Sequence, residues 1–184
     1  MKIEYEVRFL EIDRKKIIQK LKEVGAKEVG DWLQKRKIYD FIQKDPNGWI
    51  RLRTNGEKTT LTVKKIGSSK VDGTREAEVV VDNFDEADTI LTEAGLKARN
   101  YQENRRNQFI YKGVEIDIDS WPLIPTYLEI EANSEEEIKD VCNDLGLDYE
   151  ESTSMDVTDI YNKIYGIDLL SIKDLRLDSE EIVK

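Results

Sequence analysis

Six stretches of this chain alternate apolar and charged or polar residues with period two. Tyr5, Val7 and Phe9 interleave with Glu4, Glu6 and Arg8; Ile50 and Leu52 with Arg51 and Arg53; Leu61 and Val63 with Thr62 and Lys64. Ala77 and Val79 interleave with Glu76 and Glu78, Ile116 and Ile118 with Glu115, Asp117 and Asp119, and Leu128 and Ile130 with Glu129 and Glu131. In a strand these sets fall on opposite faces, so each strand has one apolar and one charged side. Turn chemistry separates the stretches: Asp45-Pro46-Asn47-Gly48, Asn55-Gly56, Asp72-Gly73 and Lys112-Gly113. The pattern predicts strands over 2–10, 32–41, 49–54, 58–65, 74–81, 101–111, 114–121 and 126–132. Eight antiparallel strands suffice to close a barrel.

A repeat is superimposed on the strands. Glu4-Tyr5-Glu6, Glu76-Ala77-Glu78 and Glu129-Ile130-Glu131 are each followed by a capped amphipathic helix and a glycine. The first helix has Asp13 as N-cap, Ile12 and Ile17 as a staple, Ile17, Ile18, Leu21 and Val24 at helical spacing, and Gly25 beyond its end. Asn83 or Asp85 caps the second, which ends at Gly95, and Ser134 with Glu137 forms a capping box for the third, which ends at Gly146. A last helix is expected over 156–165, with Val157, Ile160, Tyr161 and Ile164 on one face.

Two arrangements accommodate this pattern. In an open sheet the charged face is simply solvated. In a closed barrel the helices cover the apolar outside and the charges line the interior, which must then be wet, because an unpaired buried charge costs several kcal/mol. The helices need an apolar sheet face to cover. That requirement predicts an α+β fold: a closed eight-stranded antiparallel barrel with helices outside. Residues 1–166 would form this domain and 167–184 a weakly ordered tail, from which Leu169, Leu170, Ile172 and Leu175 could dock.

Composition bounds the chemistry. The 184 residues include no histidine, which excludes histidine triads, histidine bases and His-ligated zinc. A formal charge of −10 argues against a general nucleic-acid partner. No apolar run approaches the ~20 residues of a membrane helix, and no signal-peptide core follows Met1, so a cytoplasmic location without a membrane partner is expected. Cys142 has no second cysteine to bridge.

On the charged faces, Glu4, Glu6, Asp119, Glu129 and Glu131 are hard oxygen donors suited to Mg²⁺ or Mn²⁺. Arg8, Arg51, Arg53, Lys64 and Arg106 are cations suited to phosphate. Cross-strand salt-bridge ladders would use the same residues and would be indifferent to metal. Three Glu-x-Glu copies together with Arg51-Leu52-Arg53 and Thr62-Val63-Lys64 favour a site. There is no P-loop.

The ordered blocks resemble the CYTH superfamily of triphosphate tunnel metalloenzymes, which includes class IV adenylate cyclases and triphosphatases. Glu4-Tyr5-Glu6-Val7-Arg8 matches its Glu-x-Glu-x-Lys signature. Trp49-Ile50-Arg51-Leu52-Arg53, Leu61-Thr62-Val63-Lys64, Arg75-Glu76-Ala77-Glu78, Arg105-Arg106, Asp117-Ile118-Asp119 and Tyr127-Leu128-Glu129-Ile130-Glu131 follow in order. The resemblance covers residues 1–165 and implies a tunnel that binds ATP or another organic or inorganic triphosphate with Mg²⁺ or Mn²⁺. It assigns Glu4, Glu6, Asp119, Glu129 and Glu131 to metal and Arg8, Arg51, Arg53, Lys64 and Arg106 to phosphate. Glu76 and Glu78 would hold a second metal or orient the nucleophile, with Arg8 and Lys64 beside the reacting groups. Three departures stand out: Arg8 replaces lysine and cannot act as a base, Asn104 occupies a frequent lysine position and weakens a phosphate contact, and Pro125 replaces a glycine. The class IV cyclase reaction, ATP to cyclic AMP and pyrophosphate, ranks narrowly ahead of terminal-phosphate hydrolysis. A non-catalytic polyphosphate- or nucleotide-binding module is the third reading. Outer-face strand pairing would allow a homodimer.

Overall fold

The computed structural model describes residues 1–43, 45–68 and 70–177. Eight strands, β1 (Lys2–Phe9), β2 (Lys27–Tyr39), β3 (Gly48–Thr54), β4 (Thr59–Ile66), β5 (Thr74–Val81), β6 (Ala98–Tyr111), β7 (Val114–Ser120) and β8 (Tyr127–Ala132), match the eight expected stretches. They pair in the order β2-β3-β4-β5-β1-β8-β7-β6, and β6 returns to β2, so the sheet is closed. All these pairings are antiparallel. Closure leaves the eight strands without a free sheet edge, and the alternation then divides them into an inner and an outer surface.

The outside carries the core. Helices α1 (Arg14–Glu23) and α3 (Glu135–Leu145) lie over β1, β7 and β8, joining Ile17, Leu21, Ile138, Val141 and Leu145 to Val7, Phe9, Ile116, Ile118, Leu128 and Ile130. Helix α2 (Phe84–Glu93) packs Ala87 and Leu91 onto Tyr39 and Leu52. The caps follow the sequence: Asp13 accepts from the Lys15 and Lys16 amides, Asn83 from those of Asp85 and Glu86, and Ser134 from that of Glu137. Asn83, and not Asp85, is therefore the second cap. The helices do not cover every strand: on the outer face of β5, Ala77 is exposed and Val79 is 59% exposed. A helix follows β5 in sequence but sits over β3, leaving the β5 outer face open.

Two expectations change at the C-terminus. The final helix is α-helical only over Val157–Asp159 (α4) and widens into a π-turn over Ile160–Ile164, burying Ile160 and Tyr161. The Tyr161 hydroxyl donates to the Pro122 carbonyl at 2.5 Å, fixing the turn against the β7–β8 connection. Beyond it, Leu169, Leu175 and Leu177 are buried, and β9 (Asp174–Leu175) pairs parallel to Tyr101 and Gln102 of β6. Strand β7 reaches only as far as Arg105, so it leaves this part of β6 for β9 to pair with. Leu169 and Leu175 thus dock, whereas Leu170 is 42% exposed. The rest of the tail, 178–184, lies outside the described residues.

Candidate functional site

Inner-face alternation brings twelve side chains expected to act together into one lumen. Glu4, Glu6 and Arg8 come from β1, Arg51 and Arg53 from β3, Lys64 from β4, and Glu76 and Glu78 from β5. Arg106, Asp119, Glu129 and Glu131 complete the set from β6, β7 and β8, and all twelve border a polar cavity of about 280 Å³. A second lobe of about 340 Å³ shares Glu6, Arg8, Arg51 and Lys64 with the first and adds Ile38, Trp49, Asn100 and Leu170. The expected salt-bridge ladders are also present. Ion pairs link acid to base across the barrel interior.

Arg106 is the most heavily paired cation. Its Nη2 lies 2.6 Å from Asp119 and 2.9 Å from Glu129, and its Nη1 pairs with Asp117. Burial opposes its charge, but Asp117, Asp119 and Glu129 outweigh burial and hold its proton more firmly than usual. Arg8 reaches Glu6 at 2.8 Å, Glu129 at 2.6 Å and the Met155 carbonyl at 2.8 Å. Lys64 bridges Glu4 at 2.9 Å and Glu76 at 3.2 Å. Between Arg8 and Arg106, Glu129 is held far below the ordinary carboxylate range although burial works the other way.

Other carboxylates lack that compensation. Glu131 stands opposite Glu6 on one side and Glu115 on the other, an acidic row across three adjacent strands. Like charges directly opposed are destabilising. Burial first, then Glu115 and Glu129, push the Glu131 carboxyl up to about 7. Burial also drives Glu4 up to about 8 against the pull of Lys64, aided by the neighbouring Glu76. On the opposite wall burial, Arg51 and Arg106 push Arg53 down to about 10. The lumen therefore carries an acidic excess on one wall and a basic excess on the other.

This distribution bears on the expected metal. The donors are hard oxygens, and the acidic row around Glu131 is a place where a divalent cation would relieve repulsion, so the residue chemistry fits Mg²⁺ or Mn²⁺. Among the described residues no three carboxyl groups are gathered at metal-binding spacing, since Glu4, Glu6 and Glu129 point to Lys64, Arg8 and Arg106. Their present partners are cations.

Residues 2–160 match the model of the CYTH domain. The chain belongs to the CYTH family. Solved structures with the same fold include a conserved hypothetical protein of Pyrococcus furiosus, 20% identical with TM-score 0.70, covering 84% of this chain and 97% of that one. A proposed adenylate cyclase of Vibrio parahaemolyticus is 14% identical with TM-score 0.72, covering 88% and 98%. A proposed adenylyl cyclase of Hippeastrum, described as having a dominant triphosphatase activity, is 15% identical with TM-score 0.61, covering 94% and 100%. The sequence matches no curated protein at significant similarity.

Within the CYTH barrel further residues join the twelve expected ones. Gln34 and Arg36 of β2 and Tyr127 of β8 face the same lumen, and Asp117 is buried against Arg106. Their signal was present for Asp117, on the Asp117-Ile118-Asp119 alternation. It was weak for β2, where Gln34-Lys35-Arg36-Lys37 offers polar residues at both parities and does not reveal which face turns inward. Asn104 has a different role from the weakened phosphate contact expected: its Oδ1 accepts from Arg36, and its Nδ2 donates to Asp119 at 3.0 Å.

Proposed function

We propose that the protein binds a nucleoside or other organic triphosphate in the tunnel with Mg²⁺ or Mn²⁺ and acts on its phosphate chain. The observation that carries this reading is the closed lumen where Arg51, Arg53, Lys64 and Arg106 share one cavity with Glu4, Glu6, Asp119, Glu129 and Glu131. In that arrangement Arg51, Arg53 and Lys64 neutralise phosphate oxygens, Arg106 sets the geometry of the acidic wall, and Arg8 holds Glu6 and Glu129 in place. Glu4, Glu6, Asp119, Glu129 and Glu131 are the residues that would hold the ion. A bound divalent ion supplies charge neutralisation at the phosphate chain.

The organic moiety is supported by the second lobe, where Ile38, Trp49 and Leu170 add apolar surface to the polar lining. For ATP the favoured reaction is attack of the ribose 3′-hydroxyl on the α-phosphorus with release of pyrophosphate and loss of the hydroxyl proton, giving cyclic AMP. Arg8 keeps its charge and serves as a clamp in this scheme. Hydrolysis at the terminal phosphorus by water is the second reading, supported by the triphosphatase activity described for the Hippeastrum neighbour.

Product analysis separates them. Purified protein with Mg²⁺ or Mn²⁺ is incubated with ATP and, separately, inorganic tripolyphosphate, with the E129Q/E131Q double variant as control. Variant-sensitive cyclic AMP and pyrophosphate establish the cyclase. Variant-sensitive orthophosphate establishes the triphosphatase. Metal-dependent thermal stabilisation by triphosphate without product identifies a binding module, and absence of all three ends the reading.

A further inference from the structure

Arg36 is a buried cation without a carboxylate partner. It is 6% exposed, and among the described residues no acidic oxygen lies within 4.0 Å of its guanidinium. Its Nη2 instead donates to two neutral oxygens, Gln34 Oε1 at 2.9 Å and Asn104 Oδ1. The guanidinium carbon lies 4.5 Å from the Trp121 ring centroid, a stacking contact that fixes the plane of the fork. Arg36 also stands directly opposite Arg53 across the β2–β3 pair, a like-charge pairing that costs energy.

Two neighbouring donors lack acceptors there. Arg36 Nε and the indole Nε1 of Trp121 are both buried without a hydrogen-bond partner, and both side chains border both lobes of the tunnel. A buried donor left unsatisfied is destabilising, more so when it is charged. The adjacent Gln34 and Asn104 are neutral amides and cannot supply a compensating charge; Asn104 instead bridges Arg36 to Asp119. Such a site asks for an anionic acceptor at the junction of the two lobes.

We propose that Arg36, seated on Gln34 and Asn104 and stacked on Trp121, is a phosphate-binding residue of the tunnel that takes a phosphoryl oxygen of the bound polyphosphate. The proposal rests on the reading that the tunnel holds a triphosphate and extends it to a cation supplied by β2. In this role the repulsion between Arg36 and Arg53 is relieved by the ligand, so the two arginines hold the phosphate chain from adjacent strands.

The test is titration of inorganic tripolyphosphate, in the presence of Mn²⁺, into wild type, R36M, R36K and K64M by calorimetry, with unliganded melting temperatures beside it. R36M should weaken binding on the order of 10- to 100-fold, R36K less, and the salt dependence of binding should become shallower. The unliganded R36M protein should melt no lower than wild type, because a cation repelled by Arg53 has been removed. The double variant R36M/N104K, which returns a cation to the same spot from β6, should recover binding relative to R36M. If R36M binds like wild type while K64M has lost affinity, the tunnel reading stands and Arg36 is not a phosphate contact. If R36M and R36K both melt lower with unaltered affinity, Arg36 is a packing residue and the proposal fails. If wild type itself shows no binding, both readings fall together.

Discussion

The Nη2 of Arg8 lies 2.6 Å from Oε2 of Glu129, across the β1–β8 pair where the two residues stand in register. The same nitrogen reaches Glu6 at 2.8 Å, so one guanidinium joins the first and last Glu-x-Glu strands of the chain. The contact is almost dry, with 6% and 8% side-chain exposure. Removing one partner of a buried pair typically costs about 3–5 kcal/mol; without Arg8, Glu129 keeps Arg106 at 2.9 Å, while Glu6 loses the cation it pairs with. R8M should therefore lower unfolding stability in urea by several kcal/mol, while R8K should recover much of it. Equal stability of R8M and wild type would show that Glu6 finds other compensation.

Replacing Glu129 and Glu131 with Gln removes two carboxylates expected at the metal. E129Q/E131Q should lose Mn²⁺-dependent stabilisation by tripolyphosphate in thermal shift assays, with turnover falling by at least about 100-fold if both groups support the ion. Unchanged metal dependence would move the metal ligands to other residues.

Lys64 sits between Glu4 and Glu76 and faces the cavity. K64M should weaken tripolyphosphate more than orthophosphate, since the lost Coulomb attraction grows with ligand charge. A charge-assisted hydrogen bond is worth about 1.5–3 kcal/mol, so a tripolyphosphate loss on the order of 10- to 100-fold is expected. Affinities unaltered for both ligands would place Lys64 in a purely structural ladder.

The raised carboxyls give a signed pH dependence. Glu131 goes from an ordinary value of 4.5 to about 7, and Glu4 from 4.5 to about 8, so between these limits the native state holds protons that the unfolded chain has released. Their contribution to stability is present below about 4.5 and is lost as pH rises through 7 and 8. Metal-free protein should therefore lose stability from pH 5 to 8 with a slope approaching one bound proton, about 1.4 kcal/mol per pH unit at most for each group. E131Q should flatten the curve in denaturant titrations made at a series of pH values. A wild-type slope retained in E131Q would assign the linkage to Glu4 and its neighbours.

The C-terminal segment offers a stability test away from the lumen. Leu169 and Leu175 are buried with Trp121, Ile124 and Tyr161, and L169A or L175A should each cost about 2–4 kcal/mol. Costs under about 0.5 kcal/mol would show that the segment adds little to the barrel.

Sequence alone determined most strands and turns, the caps of the first and third helices, and the parity of the inner residues on every strand but β2 and β6, because each depends on neighbours at spacings of two to four along the chain. Glu4, Glu6 and Arg8 share a face for the same reason that Tyr5, Val7 and Phe9 share the other. Tertiary structure decided what parity cannot. The β2–β6 pairing closes the sheet and turns solvated charges into a lumen, and register sets Glu131 between Glu6 and Glu115 and Arg36 against Arg53. It also turned Asn104 from a weakened phosphate contact into the seat of Arg36, and among the four tail residues that could dock it buried Leu169 and Leu175 and left Leu170 exposed. These are contacts between residues far beyond the reach of local spacing, and their energies depend on burial and on which charges meet, quantities that exist only once the barrel has closed.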